Sequence, residues 1–102
     1  MNQTIKRRWV KALRSGKYDQ GEQALYDSGK YCCLGVLRDL ICPTGFDNDL
    51  QGRNADGSNA EVLHTRHLKH AGLHHATQQK LAEMNDGGES FKQIADYIEK
   101  RL

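Results

Sequence analysis

No apolar run in this 102-residue chain approaches the roughly 18 residues that a membrane-crossing helix needs. The first eight residues, Met1 to Arg8, contain no apolar segment of the kind that drives secretion, so a cytoplasmic location is expected. An even set of cysteines is missing too. The three present are Cys32, Cys33 and Cys42, and an odd number does not build a secreted disulfide framework. Cys32 and Cys33 are adjacent, and a bridge between neighbours distorts the peptide that joins them, so three free thiols are expected. There is no phosphate loop, dinucleotide-binding glycine pattern, nucleophile elbow or paired-carboxylate motif. Internal repeats and coiled-coil heptads are absent as well. These gaps exclude membrane-embedded classes and the readily recognised enzyme classes, and the residues imply no cofactor.

Acidic residues are missing from one stretch in particular. Residues 1–18 hold Lys6, Arg7, Arg8, Lys11, Arg14 and Lys17 and no acid, a local charge of +6 inside a chain whose net charge is +2. The remainder therefore carries −4. The hydrophobic fraction is 37%, and with the ten glycines added it reaches the globular range of about 45–50%. One domain spanning residues 1–102 follows from the length.

Periodicity predicts an α+β fold, mainly α, with about five short helices and a small β-hairpin near residues 23–33. A first helix is expected from about Thr4 to Ser15, with Thr4 as N-cap and Gly16 as the stop. Ile5, Trp9, Ala12 and Leu13 form its apolar stripe, and the basic residues occupy the other face. Gln23 to Tyr26 and Tyr31 to Cys33 flank the turn signal Asp27-Ser28-Gly29-Lys30. Cys33 to Cys42 reads as a central helix buried on most sides, ended by Pro43. Gly35 within it predicts close approach by a neighbouring element.

Residues 43–60 read as a mobile surface loop. Asp47 and Asp49 imitate the start of a calcium loop, but Ser58 stands where the bidentate glutamate belongs, which excludes that motif. A third helix is expected over about 60–71, with Val62, Leu63 and Leu68 inward. A fourth starts at Thr77, and Asn85 to Gly88 form a turn. The last helix is announced by the Ser90/Gln93 capping box and by Phe91, Ile94, Ala95, Ile98 and Leu102 on one face. It should pair with the fourth as a helical hairpin.

Three constellations carry candidate chemistry. A cysteine at a helix N-terminus has a lowered pKa and can act as a nucleophile, and Cys32 or Cys33 occupies such a place. A cysteine opening an apolar helix with a histidine downstream resembles papain-like cell-wall peptidases, which require a sheet after the helix. Here a polar stretch and more helices follow. His67, His70 and His74 are spaced to share one helical face if the helix runs through Gly72, and two of them at i, i+4 suit a metal. The basic face of helix one can hold phosphates, with Trp9 and Tyr18 available for stacking.

Three blocks of the chain resemble a family of small uncharacterised proteins encoded by bacteriophages and prophages. They are Arg8-Trp9-Val10 through Ala12-Leu13-Arg14-Ser15-Gly16-Lys17-Tyr18, then Tyr31-Cys32-Cys33-Leu34-Gly35-Val36-Leu37, and Met84-Asn85-Asp86-Gly87 with Ser90-Phe91 and Ile94-Ala95-Asp96. The resemblance implies an accessory protein that binds a host component and counters host defence, and brings no activity with it. The expected function is non-enzymatic binding of an anionic partner, either a nucleotide signal or a host protein complex. Lys6, Arg7, Lys11 and Arg14 are the leading binding residues, with Arg8 and Lys17 beside them. A homo-oligomer is compatible with this reading. The alternatives are a cysteine-dependent hydrolase and a small nucleic-acid-binding protein.

Overall fold

A computed structural model describes residues 1–41 and 63–102. Helix α1 runs Gln3–Arg14. Its N-cap is Asn2, whose side-chain oxygen accepts from the Ile5 N–H at 3.0 Å, so the helix begins one residue before Thr4. A tertiary contact favours that earlier start, because the Asn2 N–H donates to the Ala71 carbonyl at 2.8 Å. Ser15 closes the helix and Gly16 turns the chain away at φ +76°. Trp9, Val10 and Leu13 are buried, while Ile5 and Ala12 lie half-buried at the margins of the stripe.

Three two-residue strands follow: β1 Asp19–Gln20, β2 Tyr26–Asp27 and β3 Lys30–Tyr31. Strands β2 and β3 form the expected hairpin, shorter than its sequence suggests, with Tyr26 opposite Tyr31. Its two-residue turn holds Ser28 and Gly29 at φ +53° and +85°, the backbone hand that matches strand twist. Strand β1 has no counterpart in the sequence pattern. It pairs with β3 in parallel, Asp19 opposite Lys30, to give the order β1-β3-β2.

Helix α2, Cys33–Ile41, is the centre of the molecule, with Cys33 through Arg38 all buried. Gly35 has the close neighbour expected of it, since a Cβ there would overlap the Leu25 carbonyl. Trp9 spans α1 and α2, its indole N–H donating to the Cys33 carbonyl at 2.9 Å. The loop reading of 43–60, the calcium-loop imitation within it, Cys42, and the first turn of the expected third helix, Val62 included, lie outside the described residues.

Helix α3 is Thr65–Ala71, capped by His64 and closed by Gly72 in the left-handed region at φ +70°. The Leu73 N–H reaches back to the Leu68 carbonyl at 2.9 Å, a Schellman closure that delivers the chain directly into α4. Helix α4 therefore spans His75–Asp86, starting two residues before Thr77. Asn85 and Asp86 belong to its last turn instead of a loop. Helix α5, Phe91–Arg101, has the complete capping box at Ser90 and Gln93. Helix α1 makes its most extensive contact with α5, and α2 lies against both α1 and α4. Trp9, Leu25, Leu34, Leu37, Leu81, Ile94 and Ile98 are fully enclosed in this core. Burial of each such side chain contributes about 1.5–3 kcal/mol. Among the described residues, no helix is long and apolar enough to cross a membrane.

Candidate functional site

Because the apolar stripe of α1 faces α2 and α5, its cations are left on the outer flanks of the helix. They border two adjoining grooves. Lys6, Arg7, Lys11 and Arg14 line an open groove of about 770 Å³ beside α5, with Val10 in its wall and Glu99 at its α5 edge. Arg8 and Lys17 lie in a smaller groove of about 350 Å³ that also contains Tyr18 and Leu40. Lys11 borders both. Lys17 is not on the helix at all: it follows Gly16, and its N–H donates to Ser15 Oγ at 3.2 Å.

The six cations also differ in what already holds them. Arg14 is paired twice, its guanidinium donating to Asp96 at 2.6 Å and to Glu99 at 2.5 Å. The bond to Asp96, followed by that to Glu99, raises the Arg14 pKa further. This exposed double pair fixes one rim of the larger groove, and solvent screening leaves it little weight in stability. Among the described residues, Lys6, Arg7, Arg8, Lys11 and Lys17 form no ion pair within 4.0 Å. Long aliphatic stems and Val10 give the larger groove an apolar lining beneath a charged rim.

Trp9 is not available for stacking, being fully enclosed and hydrogen-bonded to α2. Tyr18 is half-buried in the smaller groove, and its hydroxyl donates to Asp39 at 2.7 Å. Burial first, and then the Asp39 carboxylate, push its pKa up to about 12.

The cysteines are placed differently from what a nucleophile requires. Cys32 and Cys33 are free thiols buried in the core. Burial pushes the Cys32 thiol up to about 11 and raises Cys33 well above its ordinary value, outweighing the backbone hydrogen bonds that act the other way. Cys33 donates to the Leu81 carbonyl at 3.6 Å, and Cys32 accepts from the Gly35 N–H at 3.4 Å. The shared histidine face does not form, because Gly72 ends α3 between His70 and His74. His67 is buried, His70 exposed, and His74 stands at the N-cap of α4. Among the described residues, no group of three His, Cys, Asp or Glu side chains is placed to hold a metal.

Residues outside the basic set complete the geometry. Gln3, Val10, Ser15 and Glu99 shape the larger groove, and Leu40 the smaller. None carries a sequence signal of its own, since each depends on which element lies beside α1. Gln20 and Asn85 join the sheet to α4 and α5. The Asn85 carboxamide accepts from Gln20 at 3.0 Å and from the Cys33 N–H at 3.2 Å, and donates to the Gly21 carbonyl at 2.8 Å. Gln20 in turn accepts from the Phe91 N–H at 3.0 Å.

A family model described as a domain of unknown function, DUF8296, matches residues 1–70. That span contains all six cations and both grooves except Glu99. No curated protein and no solved structure matches the chain.

Proposed function

The chain belongs to the DUF8296 family, and from its site we propose that it is a non-enzymatic binding protein whose first helix receives an acidic segment of a partner protein. The groove between α1 and α5 carries this reading. Four cations surround an apolar lining there, and three of them, Lys6, Arg7 and Lys11, have no ion-pair partner among the described residues. An amphipathic acidic segment would set apolar side chains against Val10 and the lysine and arginine stems, and carboxylates against the rim. Among the described residues, the groove has no aromatic side chain on which a base could stack, which favours polypeptide over nucleic acid at this place. Exposed pairs of this kind are individually weak and screened by salt, so they set the rate and specificity of docking more than its affinity. The resemblance to phage-encoded proteins fits an accessory role in which that partner is a host protein, including one that acts in defence.

The experiment is a titration of the folded chain with a synthetic acidic amphipathic peptide and, in parallel, with a single-stranded oligonucleotide, followed by amide chemical shifts. The peptide is expected to perturb α1 and α5 at about 50 mM salt and to lose affinity at about 500 mM. Lys6→Glu combined with Arg7→Glu should abolish the effect while leaving the circular dichroism spectrum unchanged. Perturbation of this groove by the oligonucleotide alone, or an undiminished response in the folded double variant, overturns the reading.

A further inference from the structure

The smaller groove differs from the larger in one respect: its cations meet an aromatic ring. Arg8 and Lys11 project from α1 at i, i+3 spacing, so they share one flank of the helix. Lys17 joins them from the turn beyond, which is held in place from both sides. Ser15 Oγ donates to the Ala12 carbonyl at 2.6 Å and accepts from the Lys17 N–H, while Gly16 supplies the left-handed backbone. Three positive side chains thereby border one groove with no ion-pair partner among the described residues. Like charges that share a groove repel, and an anion placed among them relieves that repulsion.

Tyr18 forms the other half of the groove, and its ring is fixed in orientation. The hydroxyl is tied to Asp39 at 2.7 Å, and the ring stands perpendicular to Tyr31 with centroids 5.0 Å apart. Tyr31 is itself supported by Tyr26 at 4.9 Å. The ring nevertheless stays only half-buried and borders the groove together with Leu40. A pre-oriented aromatic ring next to an aliphatic side chain is a platform for a flat heterocycle, and grouped Arg and Lys side chains are a receptor for phosphate. The volume, about 350 Å³, lies at the small end of the roughly 300–1,000 Å³ spanned by small-molecule sites, a size for one nucleotide unit.

We infer that this groove binds a nucleoside monophosphate, with the phosphate among Arg8, Lys11 and Lys17 and the base against Tyr18 and Leu40. The site is separate from the α1–α5 groove and does not depend on the acidic-segment reading, although Lys11 borders both. A ligand here would lie beside the proposed docking groove, across the shared wall of Lys11 and Ser15.

The test is a set of three titrations of the folded chain, with adenosine monophosphate, adenosine and inorganic phosphate, read by tyrosine ring and amide chemical shifts. Adenosine monophosphate is expected to shift the Tyr18 ring and the amides of Arg8, Lys11 and Lys17. It should bind about tenfold or more tightly than either adenosine or phosphate alone. Equal affinity for phosphate reduces the site to non-specific counterion binding, and equal affinity for adenosine removes the cations from it. Either result overturns the inference, as do shifts confined to the α1–α5 groove. Lys17→Glu, which changes an exposed turn residue outside every helix, should weaken binding about tenfold or more, and full retention in that variant also overturns the inference. Lys6→Glu with Arg7→Glu should leave adenosine monophosphate binding intact, so failure of one groove is read independently of failure of the other.

Discussion

Cys33 opens α2 at a position where the helix dipole lowers a thiol pKa, yet the thiol is raised. Desolvation prevails because α1, α4 and the sheet close over the start of α2. Cys32, with an ordinary value of 9.0 and a folded value of about 11, remains protonated up to high pH. The consequence for stability has a definite sign. Below pH 9 the folded and unfolded thiols are both neutral and the fold keeps its full stability; that contribution is lost as pH rises from 9 through about 11, where only the unfolded chain ionises readily. Alkylation checks the same point at neutral pH. Iodoacetamide should label the peptide containing Cys32 and Cys33 about a hundredfold more slowly in the folded protein than in urea at equal pH. Comparable rates would restore the cysteine nucleophile. Gly35 was legible from sequence, since a glycine inside an apolar helix needs a steric reason and the Leu25 carbonyl provides it. Asn85 was not: in Asn-Asp-Gly-Gly it reads as turn chemistry, whereas its three hydrogen bonds reach residues 52 to 65 positions away.

Elements whose start is encoded locally were legible, and those set by a distant partner were not. The capping box of α5 lies within four residues, and both of its hydrogen bonds form, at 3.2 and 2.9 Å. Ser90→Ala should therefore lower stability by about 1 kcal/mol, read as a reduced urea midpoint with an unchanged slope. An unshifted midpoint would mean that packing of Phe91 and Ile94 alone fixes where the helix begins. Strand β1 offered no such local signal. Asp19 and Gln20 show no alternation, and the strand exists because Lys30 and Tyr31 pass beside it in parallel. The basic face of α1 was legible as a charge pattern. Its division into two grooves was not, because Glu99 on α5 and Leu40 on α2 decide which cations share a wall.

On the scale of the molecule, the two ends of the chain support each other. The Gln3 side chain reaches the Leu102 carbonyl at 3.3 Å, and Arg14 reaches across to Asp96 and Glu99. The family match ends at residue 70, yet α4 and α5 begin at 75 and 91. They supply Leu81, Met84, Phe91, Ile94, Ala95 and Ile98 to the core that holds Trp9 and Leu13. Removing them would expose the apolar stripe of α1 and leave the Cys33 N–H without Asn85. The loss of several side chains at about 1.5–3 kcal/mol each exceeds the stability of about 5–15 kcal/mol that a small domain commands. A fragment of residues 1–70 should accordingly show no cooperative thermal transition and no fixed near-ultraviolet signal from Trp9. Mixing it with a peptide of residues 73–102 should recover that signal in proportion to peptide concentration, since the missing half of the core returns by association. A fragment that melts cooperatively on its own would show that α1, the sheet and α2 form a self-sufficient core. The α5 wall of the larger groove would then be an addition to the fold and not a condition of it.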